Sequence, residues 1–280
     1  MNELWVHGLS GSLSALLTSS LLHPFELLRT RLQENRGHSS LTGYLLQLYK
    51  EGRLHSLYSG FLSTLVTSIT SYGSYFLVYR WAQQVFTRRF GPLQVSHNLC
   101  VSFVASLACI VLNSPIWTIN TRLMKEQSEY QGIRQCLVVI WQTEGLAGLY
   151  KGFVPSVLLA SNPVIQFTLY EKLKQLLGED LLMLTYFGLG VLSKLFATIA
   201  TYPLLTVRTR IQISQEDLSM YSVAVAMLRT ESFTAFYKGF SAKVIQSVLN
   251  SAFILSIHEK LTAVLLRLLH PSRLHSLAQA

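Results

Sequence analysis

The sequence predicts an all-α membrane protein with six transmembrane helices, built as three tandem repeats of about 90 residues with pseudo-threefold symmetry and with short amphipathic helices in the odd connections. Three observations predict it. Only 13% of the 280 residues are charged and 50% are apolar, whereas a soluble chain carries roughly 25% charge; mean hydropathy is +0.35 and the pI about 9.5. Six stretches are long and apolar enough to cross a bilayer, and two short motifs each recur three times at a near-constant period. Composition of this kind argues against a disordered tail, a disulfide scaffold or an ordinary cytosolic enzyme.

A hydrocarbon core roughly 30 Å thick needs about 20 predominantly apolar helical residues. Leu4 to Phe25, Leu54 to Tyr79, Phe90 to Thr121 and Gly152 to Tyr170 contain no Asp, Glu, Lys or Arg. Leu181 to Val207 is interrupted only by Lys194, and Val244 to His258 extends to Leu269 if Glu259, Lys260 and Arg267 sit near the membrane surface. Six spans put both termini on one side. Glu3 is the only charge ahead of the first span, so that span lacks the basic leader of a secretory signal and reads as part of the mature chain. Connection charges on the two sides differ too little to set orientation. Cys100, Cys109 and Cys136 are odd in number without C-x-x-C spacing, and give neither a disulfide framework nor a metal site.

The repeat is carried by His23-Pro24-Phe25-Glu26-Leu27-Leu28-Arg29-Thr30-Arg31-Leu32-Gln33, by Ser114-Pro115-Ile116-Trp117-Thr118-Ile119-Asn120-Thr121-Arg122-Leu123-Met124, and by Tyr202-Pro203-Leu204-Leu205-Thr206-Val207-Arg208-Thr209-Arg210-Ile211-Gln212. Tyr58-Ser59-Gly60, Tyr150-Lys151-Gly152 and Tyr237-Lys238-Gly239 keep the same period, preceded by Glu51-Gly52, Glu144-Gly145 and Glu231-Ser232. A single domain over 1–280 divides into repeats at 1–91, 92–179 and 180–280. Each repeat is a span ending at a Pro-marked turn, a polar connection with a short amphipathic helix, and a second span. Proline removes an intrahelical hydrogen bond, so the odd helices are expected to kink at Pro24, Pro115 and Pro203. Three kinked helices converge at one end around a polar cavity on the axis.

These residues resemble the mitochondrial carrier family, whose signature is P-x-[DE]-x-x-[KR]-x-[KR] followed by [DE]-G and aromatic-[KR]-G. The resemblance covers essentially the whole chain, and implies a solute exchanger working by alternating access, with networks on the two faces of the cavity that form and break in turn. In the family the acid of one odd helix pairs with the base of the next. Here that pairing sets Glu26 against Asn120, Trp117 against Arg208 and Leu205 against Arg29, none of them an ion pair. The family's polar braces fall on Gln33 and Gln212, with Met124 at the matching place in the second repeat. The opposite network, aromatic-[DE]-x-x-[KR], reads Tyr79-Arg80 with Gln83, Tyr170-Glu171 with Lys174, and His258-Glu259 with Thr262. Both gates depart from the pattern, which predicts weak gating and tolerance of uniport. Pro115-Ile116-Trp117, Ser161-Asn162-Pro163 with Gln166, Lys194 and Lys243 look most like the peroxisomal nucleotide and cofactor carriers, implying adenine-containing anions such as ATP, AMP, NAD or coenzyme A.

Lys194 has thirteen uncharged residues on each side (181–193 and 195–207), too far from either interface to snorkel. A lone intramembrane charge faces a partner or a watery pathway by default. Lys243 is either a second cavity cation or a flanking anchor. Two lysines without an acid in the same stretches suit a phosphate or carboxylate. Helical spacing groups Gln246, Ser247 and Asn250 on one face, and Asn162 with Gln166 on another. The resemblance places contact points at Thr67 and Ser68, Leu158 and Leu159, and Gln246 and Ser247. The leucines could instead be bundle core. Tyr72 and Tyr75, with Ser68 and Ser71, are candidates to stack on a base or to pack between helices. Gly8, Ser12, Gly188 and Ser193 are expected to allow close helix approach.

No H-E-x-x-H, G-x-S-x-G or P-loop pattern occurs, so no catalytic residue, cofactor or metal is predicted. The implied partners are membrane lipid and a small anion, without nucleic acid, to a monomeric carrier. A transport-deficient membrane scaffold is the rival reading, against which the buried charge of Lys194 argues. The resemblance favours the peroxisomal membrane, with the mitochondrial inner membrane as the alternative.

Overall fold

The computed structural model describes residues 2–34, 40–90, 95–125, 130–178 and 183–269. Its helices are α1 (Asn2–Glu34), α2 (Leu41–Lys50), α3 (Phe61–Phe90), α4 (Val95–Leu123), α5 (Ile133–Thr143), α6 (Gly145–Leu149), α7 (Phe153–Leu159), α8 (Asn162–Leu177), α9 (Met183–Ile213), α10 (Met220–Thr230) and α11 (Phe240–Leu269). Among the described residues, Leu54–Arg88, Val101–Leu123, Gly145–Leu177 and Gly188–Ile213 are long and apolar enough to span a membrane. α1 and α11, of 33 and 30 residues, stand at the two ends of the chain and pack against each other. The contacts α1 with α11, α3 with α4 and α8 with α9 pair each even helix with the odd helix of the next repeat, so the bundle closes as a ring.

Two expectations are corrected. The prolines do not end the odd helices: Pro24, Pro115 and Pro203 lie inside α1, α4 and α9, each of which runs on past its proline for two turns or more. Beside Pro203 the carbonyl that loses its helical donor, Ile199 O, accepts from the Tyr237 hydroxyl at 3.4 Å. A neighbouring donor thus replaces part of what the ring removes. The fourth span is two helices, α7 and α8, meeting at Ala160 and Ser161, where the backbone bonding tightens from i−4 to i−3 (Ser161 N to Leu158 O, 3.1 Å). Asn162-Pro163 starts a new helix because proline is best placed in a first turn.

The threefold arrangement is visible in its hydrogen bonds. Arg31 Nε donates to Met124 O, Arg122 Nε to Gln212 O, and Arg210 Nε to Gln33 O, at 3.3, 2.9 and 2.9 Å. Each signature arginine therefore ties its own repeat to the next, and the last closes onto the first. Its guanidinium fork pairs with an acid of its own repeat, Arg122 with Glu144 and Arg210 with Glu231, and the Arg122 fork also donates to Ser214 O of the third repeat at 3.0 Å. Lys151 and Lys238 of the second landmark complete these pairs. In the first repeat Ser59 stands where the others have lysine, and the Arg31 fork goes to Ser56 Oγ and O. Beneath each fork a short helix packs on the odd helix, burying Tyr44 and Leu48, Cys136 and Ile140, or Val223 and Met227.

The landmark glycine is fixed by geometry. Gly239 has φ +75°, and a Cβ there would lie 3.0 Å from Arg29 O and 3.2 Å from Arg29 Cα. Only glycine both turns the chain and lets α11 start against α1.

The Arg210–Glu231 pair yields the first prediction. Hydrogen bonding from Arg210, and then from Lys238, holds the Glu231 carboxyl down at about 2. A depressed carboxylate stabilises the fold fully above its unfolded value of about 4.3, and that contribution fades as pH falls toward 2. Glu231→Gln leaves a buried guanidinium short of its counter-charge, at a cost of about 3 kcal/mol. Thermal denaturation of the detergent-solubilised protein should show a lower Tm for the variant at pH 7, with the gap to wild type narrowing as pH falls below 5. A gap independent of pH would remove the ion pair as its source.

Candidate functional site

A cavity of about 860 Å³ opens between α1, α3, α8, α9 and α11, within the size range of small-molecule sites. It contains both predicted lysines. Lys194 and Lys243 line it, together with Gln246, Ser247 and Asn250 of α11, Gln166 of α8 and Ser68 of α3. Glu26 lines it from α1 and is the one acid on its wall among the described residues. The cavity is lopsided, since no residue of α4 is among its described lining.

Lys194 Nζ donates to Asn162 Oδ1 at 3.0 Å, and Asn162 Nδ2 donates to Thr201 Oγ1 at 2.8 Å. Asn162 is therefore behind the cation and positions it. Lys243 Nζ reaches Gln246 Oε1 at 3.4 Å and lies within electrostatic range of Glu26, Arg29 and Lys194. Neither ammonium has an ion pair among the described residues. Both are held by neutral amide oxygens, which orient the charge without cancelling it, so the wall keeps a net positive field in a low-dielectric setting.

Several candidates lie elsewhere. Leu158, Leu159 and Thr67 are outside the described lining; the Thr67 hydroxyl donates to Ser63 O on its own helix. Ser71 accepts from Trp117 Nε1 at 3.0 Å, in a polar seam between α3 and α4 that includes Asn113 to Ser74 at 2.7 Å. Tyr75 stacks on Tyr79, centroids 6.0 Å apart and 9° from parallel, away from the cavity. The side chains of Tyr72, Arg80, Glu259 and Thr262 lie outside the described residues, as do those of Gly8 and Ser12. Gly188 is exposed and a Cβ on it would meet nothing, so it does not serve close packing here, whereas Ser193 is fully buried. Spacing had not pointed to Tyr186, Gly190 and Thr198 of α9 or Ser19 of α1, which do line the cavity. The sequence signal was available: 186, 190, 194 and 198 recur at i+4 through Lys194.

Below the cavity the odd helices meet. Of the three expected pairs, Trp117 with Arg208 is a direct contact: the guanidinium carbon lies 4.6 Å from the indole centroid, a cation–π pair. The indole thus presents a negative π face to the guanidinium at the position where the family pattern has an acid. Asn120 accepts from Thr64 at 3.2 Å. Among the described residues no hydrogen bond or ion pair joins Glu26 to Asn120, and Arg29 Nε and Arg208 Nε are buried without partners. The brace positions all make polar contacts between odd helices. Gln33 donates to Tyr202 and Thr206 of α9, Thr121 donates to Gln212, and Thr30 reaches the Met124 sulfur at 3.7 Å.

At the other end, Gln83, Glu171 and Lys174 make no hydrogen bond or ion pair with one another among the described residues. Lys174 instead lies over the Tyr186 ring, 6.0 Å from its centroid. The odd helices are thus joined at one end by the Trp117–Arg208 contact and the Gln33 and Gln212 bonds, while the described residues of the opposite set are not joined to one another.

The chain is 30% identical to Peroxisomal membrane protein PMP34 of Mus musculus over 93% of each chain. It is 30% identical to Peroxisomal adenine nucleotide carrier 1 of Arabidopsis thaliana, over 91% of this chain and 88% of that one. It is 29% identical to Folate transporter 1, chloroplastic, of Arabidopsis thaliana, over 96% and 97%. The family described as Mitochondrial carrier protein matches three times, over residues 1–90, 91–181 and 179–268. On these matches and the closed ring of three helix pairs, the chain belongs to the mitochondrial carrier family, whose members are membrane transporters and not enzymes.

Proposed function

We propose that this carrier moves adenine-containing anions, such as ATP, AMP, NAD or coenzyme A, across the peroxisomal membrane by alternating access, in exchange and with some uniport. The observation that carries the reading is the pair of lysines on the cavity wall, which among the described residues are held only by Asn162 and Gln246 and opposed by a single carboxylate, Glu26. An ammonium so placed binds phosphate as a point charge. The volume suits a solute of nucleotide size, and the remaining wall mixes amides and hydroxyls with Leu22, Val191 and Leu195, as a base and ribose need. The two peroxisomal relatives, one of them an adenine nucleotide carrier by name, support both solute class and membrane. The folate-transporter relative favours a second reading, a planar heteroaromatic carboxylate on the same lysines.

The test is uptake of labelled ATP into liposomes holding the purified protein, preloaded with AMP, NAD, coenzyme A, a dicarboxylate, folate or nothing. Uptake driven by adenine compounds and weak in empty liposomes is the expected result. Absence of ATP uptake under every loading would exclude ATP and turn the test to direct uptake of the other candidates.

A further inference from the structure

We infer that Tyr186 is the stacking platform for the base of the transported nucleotide, and that one face of α9 reads the solute in order, with base on Tyr186, ribose over Gly190 and phosphate at Lys194. The inference rests on the nucleotide reading above. Tyr186, Gly190 and Lys194 are spaced i, i+4 and i+8, so they lie on one stripe of the helix, and all three line the cavity. Tyr186 is the one aromatic side chain on the described wall. At 1.5 Å rise per residue the ring and the ammonium root about 12 Å apart, which leaves a sugar's width between a stacked base and a bound phosphate.

Gly190 supplies that width. A Cβ built on it would meet no protein atom within 4 Å, so the residue is not small to accommodate a neighbouring helix. A glycine in a helix interior costs stability relative to alanine, and here the clearance it leaves faces the cavity. The ring already recognises a cation, since Lys174 of α8 lies over it. A base that displaces Lys174 from Tyr186 would return that lysine to the open gate, next to Glu171 one turn away.

Binding of ATP and of inorganic tripolyphosphate to the purified full chain, by thermal shift and calorimetry, separates base from phosphate recognition. Tyr186→Ala should weaken ATP roughly tenfold, within the range for loss of a base–aromatic stack, and leave tripolyphosphate unchanged; Tyr186→Phe should keep ATP affinity. Gly190→Val should fold normally and weaken ATP with little effect on tripolyphosphate. Gly188→Ala, on another face, should change neither. Wild-type ATP binding with both Tyr186→Ala and Gly190→Val unchanged would overturn the platform and leave the nucleotide reading standing. Equal loss of ATP and tripolyphosphate in Tyr186→Ala would assign the ring a structural role. Failure of the wild type to bind any adenine compound would overturn both readings.

Discussion

Lys194→Ala is expected to reduce anion uptake roughly 100-fold without lowering the thermal stability of the protein. The two halves of this result have one cause. Lys194 sits thirteen residues from either end of its apolar stretch, and its only hydrogen-bond acceptor among the described residues is the neutral Asn162 amide at 3.0 Å. Placing lysine at the middle of a span costs about 2.5–3.5 kcal/mol on insertion scales, and no ion pair offsets it. Removing the charge therefore relieves a strain on the fold, while Asn162 keeps its bond to Thr201. An anion that loses a desolvated cationic partner forfeits about 2–5 kcal/mol, and 1.4 kcal/mol is a factor of ten. Lys194→Met, which keeps the volume, should behave alike in both assays. Transport at the wild-type rate in either variant would take Lys194 out of the site. Retained transport combined with unfolding would mean that the charge serves the structure.

Trp117→Leu is expected to raise flux into unloaded liposomes about 30-fold relative to exchange. Between α4 and α9 the Arg208 guanidinium lies 4.6 Å from the Trp117 centroid, with its Nε buried and unpartnered among the described residues, and Trp117 Nε1 is anchored on Ser71. A desolvated cation–π contact is worth about 2 kcal/mol, which sets the size of the change expected if this contact is what holds the gate shut when no solute drives the cycle. Leucine keeps apolar bulk and removes the quadrupole, so a bare buried cation is left next to Arg29. The opposite change follows from the same logic. Glutamate at position 117 together with an acid at 205 would give Arg208 and Arg29 ion-pair partners and should slow uniport relative to exchange. A ratio of uniport to exchange unchanged in both variants would show that this gate does not control coupling.

Much of the architecture was legible because its signals are backbone signals. Pro24, Pro115 and Pro203 and the glycines at 60, 152 and 239 constrain φ and hydrogen bonding whatever surrounds them, and their common period announces the repeat. Arg31, Arg122 and Arg210 could be placed in the signature, but their role as clasps between repeats depends on carbonyls some 90 to 180 positions away in the chain. The break at Ala160 and Ser161 was marked only by Asn162-Pro163, and a proline inside a span is equally compatible with a continuous helix, as Pro24, Pro115 and Pro203 show.

In the site, charge was easier to read than orientation. Lys194 and Lys243 were conspicuous as charges in apolar surroundings, and the i, i+3 and i+4 spacing of Gln246, Ser247 and Asn250 put them on a common face that does reach the cavity. Ser71 and Tyr75 share a helix with Ser68, yet one accepts from Trp117 and the other stacks on Tyr79. A rotation of some tens of degrees about the α3 axis decides which of them faces solute, and that angle is set by packing on α4.

By itself, then, the sequence determined a triplicated helical membrane protein with a lone charge, Lys194, in the middle of an apolar span, since period, proline, glycine and the scarcity of charge are properties of the chain read one residue at a time. The tertiary structure alone decided that Trp117 meets Arg208, that Tyr186 and Gly190 join Lys194 on the wall, and that Tyr75 does not. Those outcomes depend on the relative rotation of whole helices, which is fixed by contacts between residues distant in sequence and so is written in no single segment.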